Sequence, residues 1–269
     1  MKVKGLLNKL SLLFGCLCVF GLLGENVSAA TIWRSLMVGP HYPGGASFDD
    51  TIAGTRMTNL SNQFGLWSNW EPENMNVLTG AVTSEGITQA IMNAGVDDND
   101  FFTFVYHGHG SSNECYSLPG ERMFADELHS ALAGLPATST KLVVNLSCYG
   151  GSFWNELSTL NNIAFFSGAG ATEVLPEPPR FYTNLFNNAN PNNIEFIDWN
   201  SDNRISISEY YTASQVVDRG ANSQYNNSNS ILDNATVFYL PTSVAEPSSV
   251  LGIIVIGVWG LKKIYKQGA

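Results

Sequence analysis

Positive charge is scarce in this sequence. The 269 residues hold 13 Lys and Arg against 23 Asp and Glu, and six of the 13 (Lys2, Lys4, Lys9, Lys262, Lys263, Lys266) sit at the two ends. Between 31 and 245, seven basic residues face 21 acidic ones, a net charge of −14. Phosphate binding needs a basic face, so a nucleic-acid partner is disfavoured. The balance suits an exported protein or one that binds calcium. Cysteine is scarce too. Outside the N-terminal apolar run only Cys115 and Cys148 remain, which permits one disulfide and excludes a disulfide framework. Long apolar runs are missing, although a comfortable bilayer span takes about 20 residues. No internal repeat is visible, which excludes a solenoid.

The ends read as addresses. Residues 1–30 combine three lysines, an apolar run from Leu10 to Leu23 and the small residues Ser28-Ala29-Ala30, the pattern of a secretory signal peptide. At the other end, Glu246-Pro247-Ser248-Ser249 precedes the apolar run Val250 to Leu261 and a basic tail. This order resembles the PEP-CTERM sorting signal of bacterial exported proteins, although Ala245 stands where that motif usually has proline. The resemblance implies an exosortase-type partner and at least transient membrane attachment of 246–269. A plain C-terminal anchor is the other reading. Both place the protein outside the cytoplasm.

Residues 31–245 are then one domain in size. Apolar runs at Ile32 to Val38 and Val77-Leu78, at the start of Phe101 to Gly110 and of Leu142 to Gly151, and at Asn162 to Phe166 read as strands. Helical spacing predicts helices from Asp49-Asp50 to Phe64, over 84–94, over 125–132 and over 181–186. The alternation implies a mostly parallel α/β sheet with helices on both faces. Ser111 to Glu121 and the Asn/Ser-rich 224–234 read as loops.

Two of these runs lead into reactive side chains with glycine at or just after the next position. One closes as Tyr106-His107-Gly108-His109-Gly110, the other as Ser147-Cys148-Tyr149-Gly150-Gly151. Chemistry in open α/β sheets sits beyond the carboxyl ends of the strands, so the sequence delivers a Cys/His pair to one sheet edge. A thiolate is a strong nucleophile and imidazole the usual group that generates it. Gly110 lets its N–H approach a substrate oxygen and, with the Cys148 N–H, is a candidate oxyanion hole. Gly150 and Gly151 are expected to let the chain turn away beneath the thiol. His107 is the alternative histidine. Cys115, six residues beyond His109, is a candidate disulfide partner for Cys148.

Tyr106-x-Gly108-His109-Gly110 resembles the Tyr-x-Gly-His-Gly signature of metacaspases, and the Ser147-Cys148 stretch is similar to the Cys-x-Ser-Gly signature that follows it. The resemblance is to the caspase-like cysteine peptidases, metacaspases and legumains among them. It implies a caspase-like, mainly parallel sheet, an exported endopeptidase acting on peptides or proteins, His109 as proton carrier and Cys148 as nucleophile. Gly150 stands where the family has Ser. The acidic residues that would hold a basic substrate side chain are missing beside the nucleophile, and Glu173 is the nearest substitute. A transpeptidase of the same superfamily is one alternative. A non-catalytic calcium-binding surface protein with a Cys115–Cys148 disulfide is another.

Asp198 to Glu209 fits the 12-residue EF-hand spacing. Asp198, Asn200, Asp202 and Ser206 would offer side-chain oxygens, Arg204 its carbonyl and Glu209 a bidentate carboxylate to a structural Ca2+. Asn203 replaces the usual glycine, and Asn tolerates the left-handed conformation needed there.

Overall fold

The computed structural model describes residues 30–42, 52–111, 115–118, 120–176, 179–218 and 221–240, with backbone alone at 115–117 and 217–218. The signal segment (Ala30 apart), the Asp49-Asp50 cap and the C-terminal sorting segment lie outside these residues. No helix among the described residues is long and apolar enough to cross a membrane.

The elements follow in chain order. Strand β1 (Trp33–Pro40) leads to α1 (Ile52–Phe64), β2 (Met75–Gly80), α2 (Ser84–Met92) and β3 (Phe101–His107). Three short strands come next, β4 (His109–Ser111), β5 (Cys115–Leu118) and β6 (Glu121–Phe124), then α3 (Ala125–Ala133) and β7 (Thr140–Leu146). After these come α4 (Trp154–Leu157), β8 (Ile163–Ser167), α5 (Arg180–Asn188), α6 (Ile194–Ile197), β9 (Arg204–Ser206) and α7 (Ile207–Ser214). The described chain closes with β10 (Val217–Asp218), β11 (Ala221–Asn222), β12 (Gln224–Asn227) and β13 (Thr236–Tyr239).

Six strands form the main sheet in the order β12-β8-β7-β3-β1-β2. All neighbours are parallel except β12, which runs antiparallel along β8 at the edge. The fold is thus α/β and caspase-like in layout, with helices on both faces, as expected. The alternation of the buried strands divides the core in two. Leu36, Val38, Phe104, Val143 and Phe165 pack with Ile87 of α2 and Leu128 of α3. Met37, Val105, Val144 and Phe166 pack with Met57 of α1, Leu185 of α5 and Tyr210 of α7. Every residue of β3 is buried. Burying each of its large apolar side chains contributes about 1.5–3 kcal/mol, so the strand that ends in His107 and leads into His109 is firmly held.

Two loop expectations are corrected. Ser111 to Glu121 is not a plain loop: β4, β5 and β6 form a small antiparallel sheet. Gln224–Asn227, within the Asn/Ser-rich stretch, is edge strand β12. Its Asn and Gln side chains fit because an edge strand is half exposed. Asn227 Nδ2 donates to Asp233 at 2.7 Å, tying the edge to the turn behind it.

Candidate active site

The register sets the site. His107 lies opposite Leu146, and Asn145 opposite Ser167, so β3, β7 and β8 end side by side. The Gly108 N–H donates to the Leu146 carbonyl at 3.4 Å, carrying the pairing one step past the strand ends. His109 and Cys148 each stand two residues beyond the paired His107 and Leu146. Both are half-buried, at the open carboxyl edge.

Gly110 is where the two strand ends meet. A Cβ there would collide with the Cys148 carbonyl oxygen and would come within 2.6 Å of Ser147 Oγ and 2.9 Å of Ser147 Cβ. Only a residue without a side chain lets the histidine loop lie against the backbone of the cysteine turn. Gly110, next to His109, thus lies against the Cys148 carbonyl and Ser147.

The main chain of His109 is clamped by two tyrosines. Its N–H donates to the Tyr42 hydroxyl at 3.1 Å, and its carbonyl accepts from the Tyr106 hydroxyl at 3.0 Å. The two hydroxyls are 3.0 Å apart. With the Tyr106 proton on the carbonyl, the Tyr42 proton points to Tyr106, and the circuit closes. The Tyr42 and His109 rings meet edge to face, centroids 4.6 Å apart. Gly108 makes room for this, since a Cβ there would lie 2.6 Å from each hydroxyl. Burial raises the Tyr42 pKa and keeps the hydroxyl protonated.

The turn under Cys148 rests on buried polar groups. Ser147 Oγ donates to Asn145 Oδ1 at 2.7 Å, and Asn145 Nδ2 donates to the Gly150 carbonyl at 3.1 Å. The glycines there let the turn pack closely. The left-handed residue is Tyr149, with φ 57°. Gly150 and Gly151 are required for space: a Cβ on Gly150 would lie 2.8 Å from Ser167 Oγ, and one on Gly151 would lie 2.8 Å from Ala171 N. The N–H groups of Tyr149, Gly150 and Gly151 are committed to Glu173 O, Ser147 O and Ala169 O.

Glu173 lies beside the Cys148 turn, its carbonyl accepting from Tyr149 N at 2.7 Å, but its carboxylate serves the loop. It accepts from Gly170 N at 2.7 Å, Asn222 N at 2.8 Å and Asn222 Nδ2 at 3.1 Å. The Asn222 and Gly170 N–H groups hold its pKa below the usual value. The candidate group for a basic substrate side chain is thus first a staple between the 170–173 loop and β11.

His107 is placed apart from His109. It is fully buried on the face of α1 and α5, with Nε2 3.2 Å from Arg56 Nη1. A guanidinium can only donate, so Nε2 accepts. Burial first, then Arg56 and His109, lower its pKa to about 3. Although residues two apart on a strand share a face, the chain bends at Gly108 and His109 opens β4 in another sheet. His41 lines an open groove of about 380 Å³ beyond the ends of β1 and β2, with Thr55, Thr58, Asn59 and Thr79. The Cys115 side chain, and with it the candidate pairing with Cys148, lies outside the described residues.

In the 198–209 loop, Asp198 accepts from Asp202 N and Asn203 N, Asn200 from Asp202 N, and Asp202 from Arg204 N. Glu209 accepts from Trp199 N, Ser206 Oγ and Ser206 N, the last as part of the cap of α7. Asn203 is left-handed at φ 63°, as expected. The all-oxygen donor set suits calcium. Among the described residues no three His, Cys, Asp or Glu side chains gather as metal ligands.

Sequence reasoning missed Tyr42, which follows β1 by two residues and has no motif around it. It also missed the Arg56–His107 pair, whose members are 51 residues apart. A search of curated proteins found no match. A crystal structure of protein GSU0716 from Geobacter sulfurreducens is similar in fold, with a TM-score of 0.51 and 14% identity, covering 78% of this chain and 99% of that one. Residues 68–175 match the model of the Peptidase C13 family, a span that holds Tyr106, His109, Gly110, Cys148 and Glu173. Residues 68–175 are thus similar to the Peptidase C13 family, and the matched span holds both His109 and Cys148.

Proposed function

We propose that the protein is an exported cysteine endopeptidase working through a His109–Cys148 dyad. The observation that carries the reading is Gly110, which seats the histidine loop directly against the Cys148 carbonyl and Ser147. His109 takes the thiol proton, and the Cys148 sulfur attacks a peptide carbonyl carbon. The developing oxyanion faces the N–H groups of Gly110 and Cys148. The proton on His109 passes to the leaving amine as the peptide bond breaks. Water then attacks the thioester, returns a proton through His109 and frees the thiol. The buried Ser147–Asn145–Gly150 chain fixes the turn that presents the sulfur.

The proposal includes export by the N-terminal signal and handling of the C-terminal segment by an exosortase-type enzyme. It also includes a structural Ca2+ in the 198–209 loop, where Asp198, Asn200, Asp202, Ser206, Glu209 and the Arg204 carbonyl would turn inward to hold it. Selection of a basic side chain by Glu173 belongs to the same proposal.

The test is cleavage of a peptide mixture by the purified full chain, with products mapped by mass spectrometry. Cys148→Ser should abolish cleavage, and His109→Ala should lower it about 10²–10⁴-fold. Cleavage that survives Cys148→Ser would defeat the proposal.

A further inference from the structure

We infer that Tyr42 is a positioning residue for His109, holding the imidazole over Cys148 through the histidine's own backbone. The inference rests on the proposed dyad.

The N–H of His109 falls in the bend between the end of β3 and the rest of β4. The Tyr42 hydroxyl takes that N–H and is linked through Tyr106 to the carbonyl of the same residue. Both peptide groups flanking the His109 Cα are thus tied to one pair of phenols. A residue held at both flanking amides has its φ and ψ fixed, which fixes where its side chain starts. The Tyr42 ring, at 72° to the imidazole, limits the remaining rotation. Tyr106 is buried on the sheet and so anchors the circuit. Tyr42 arrives from β1, the strand beside β3, so the clamp ties the histidine loop to a second strand. A proton carrier misplaced by about 1 Å costs on the order of 10²-fold in rate, so losing the hydroxyl should be felt in the chemistry before it is felt in folding.

The experiment is the alkylation of Cys148 by iodoacetamide as a function of pH, in the wild-type full chain, Tyr42→Phe, Tyr106→Phe and His109→Ala, with thermal unfolding of each. Tyr42→Phe keeps the ring and removes the bridging oxygen. The expected result is labelling at pH 6 slowed about tenfold or more in Tyr42→Phe, with its pH profile moved toward that of an ordinary thiol and its melting curve near wild type. Tyr106→Phe opens the circuit from the other side and should move the profile the same way. Should Tyr42→Phe not fold, Tyr106→Phe decides alone. A wild-type profile in the folded tyrosine variants, alongside a slowed His109→Ala, overturns the role of Tyr42 and leaves the dyad standing. If His109→Ala itself labels like wild type, the dyad falls, and the inference falls with it.

Discussion

Replacing Gly110 with alanine puts a methyl group where the Cys148 carbonyl oxygen already is. Ser147 is also in the way, its Oγ 2.6 Å and its Cβ 2.9 Å from the added carbon. Real Cβ contacts do not fall below 3.0 Å. The serine hydroxyl could rotate by giving up its bond to Asn145, but the carbonyl is backbone and cannot rotate alone. The histidine loop and the cysteine turn must therefore separate by at least about half an ångström. Overpacking of this kind costs about 1–3 kcal/mol of stability. Because a 1 Å misplacement costs about 10²-fold, half of that predicts Cys148 alkylation at pH 6 slowed about tenfold in a chain that still folds. The assay is alkylation rate together with urea unfolding. Wild-type labelling and wild-type stability in Gly110→Ala would refute the contact and the reasoning built on it.

Three further outcomes are expected. His107 is held neutral with a pKa of about 3, whereas the unfolded chain takes up that proton below about 6.5. Stability should thus fall as pH drops from about 6.5 to about 3, with a slope approaching about 1.4 kcal/mol per pH unit. In His107→Gln that contribution should vanish; parallel pH–stability curves would contradict the assignment. The Glu173 carboxylate has a lowered pKa, so its stabilisation is present above the usual carboxylate value and lost as pH falls through the lowered one. Glu173→Gln should therefore destabilise the protein at pH 7, measured by thermal unfolding, and a change in preference for basic peptides would add the substrate role. Finally, calcium at millimolar concentration should raise the melting temperature of the wild type and not of Asp198→Ala; no shift in either would remove calcium from the account.

The fold was legible where burial leaves one choice. Phe101 to His107 and Leu142 to Leu146 have no polar face, so they could only be central strands of a two-sided sheet. Just beyond their ends stand a histidine followed by glycine and a cysteine two residues before a glycine pair, and these mark the candidate site. The small β4-β5-β6 sheet was illegible because its strands are three or four residues long and carry no alternation. β12 was hidden because an edge strand needs only backbone pairing on one side, and Asn-rich sequence suffices. The glycine pattern marks the turn after Cys148, but the atoms that leave no room for a Cβ at Gly150 and Gly151 come from Ser167 and Ala171, which that pattern does not name. Tyr42 and Arg56 were illegible for another reason: each meets its histidine only through strand order, which no local pattern records.

The central claim is that His109 acts on Cys148, and the most direct measurement is the pH dependence of Cys148 alkylation in the wild type and in His109→Ala. The account predicts fast labelling at mildly acidic pH that is lost in the variant and recovered only as the pH nears that of a free thiol, about 8.5. Cys148 that labels like an ordinary thiol in both proteins, or that is found bonded to Cys115 and resists mild reduction, would contradict it.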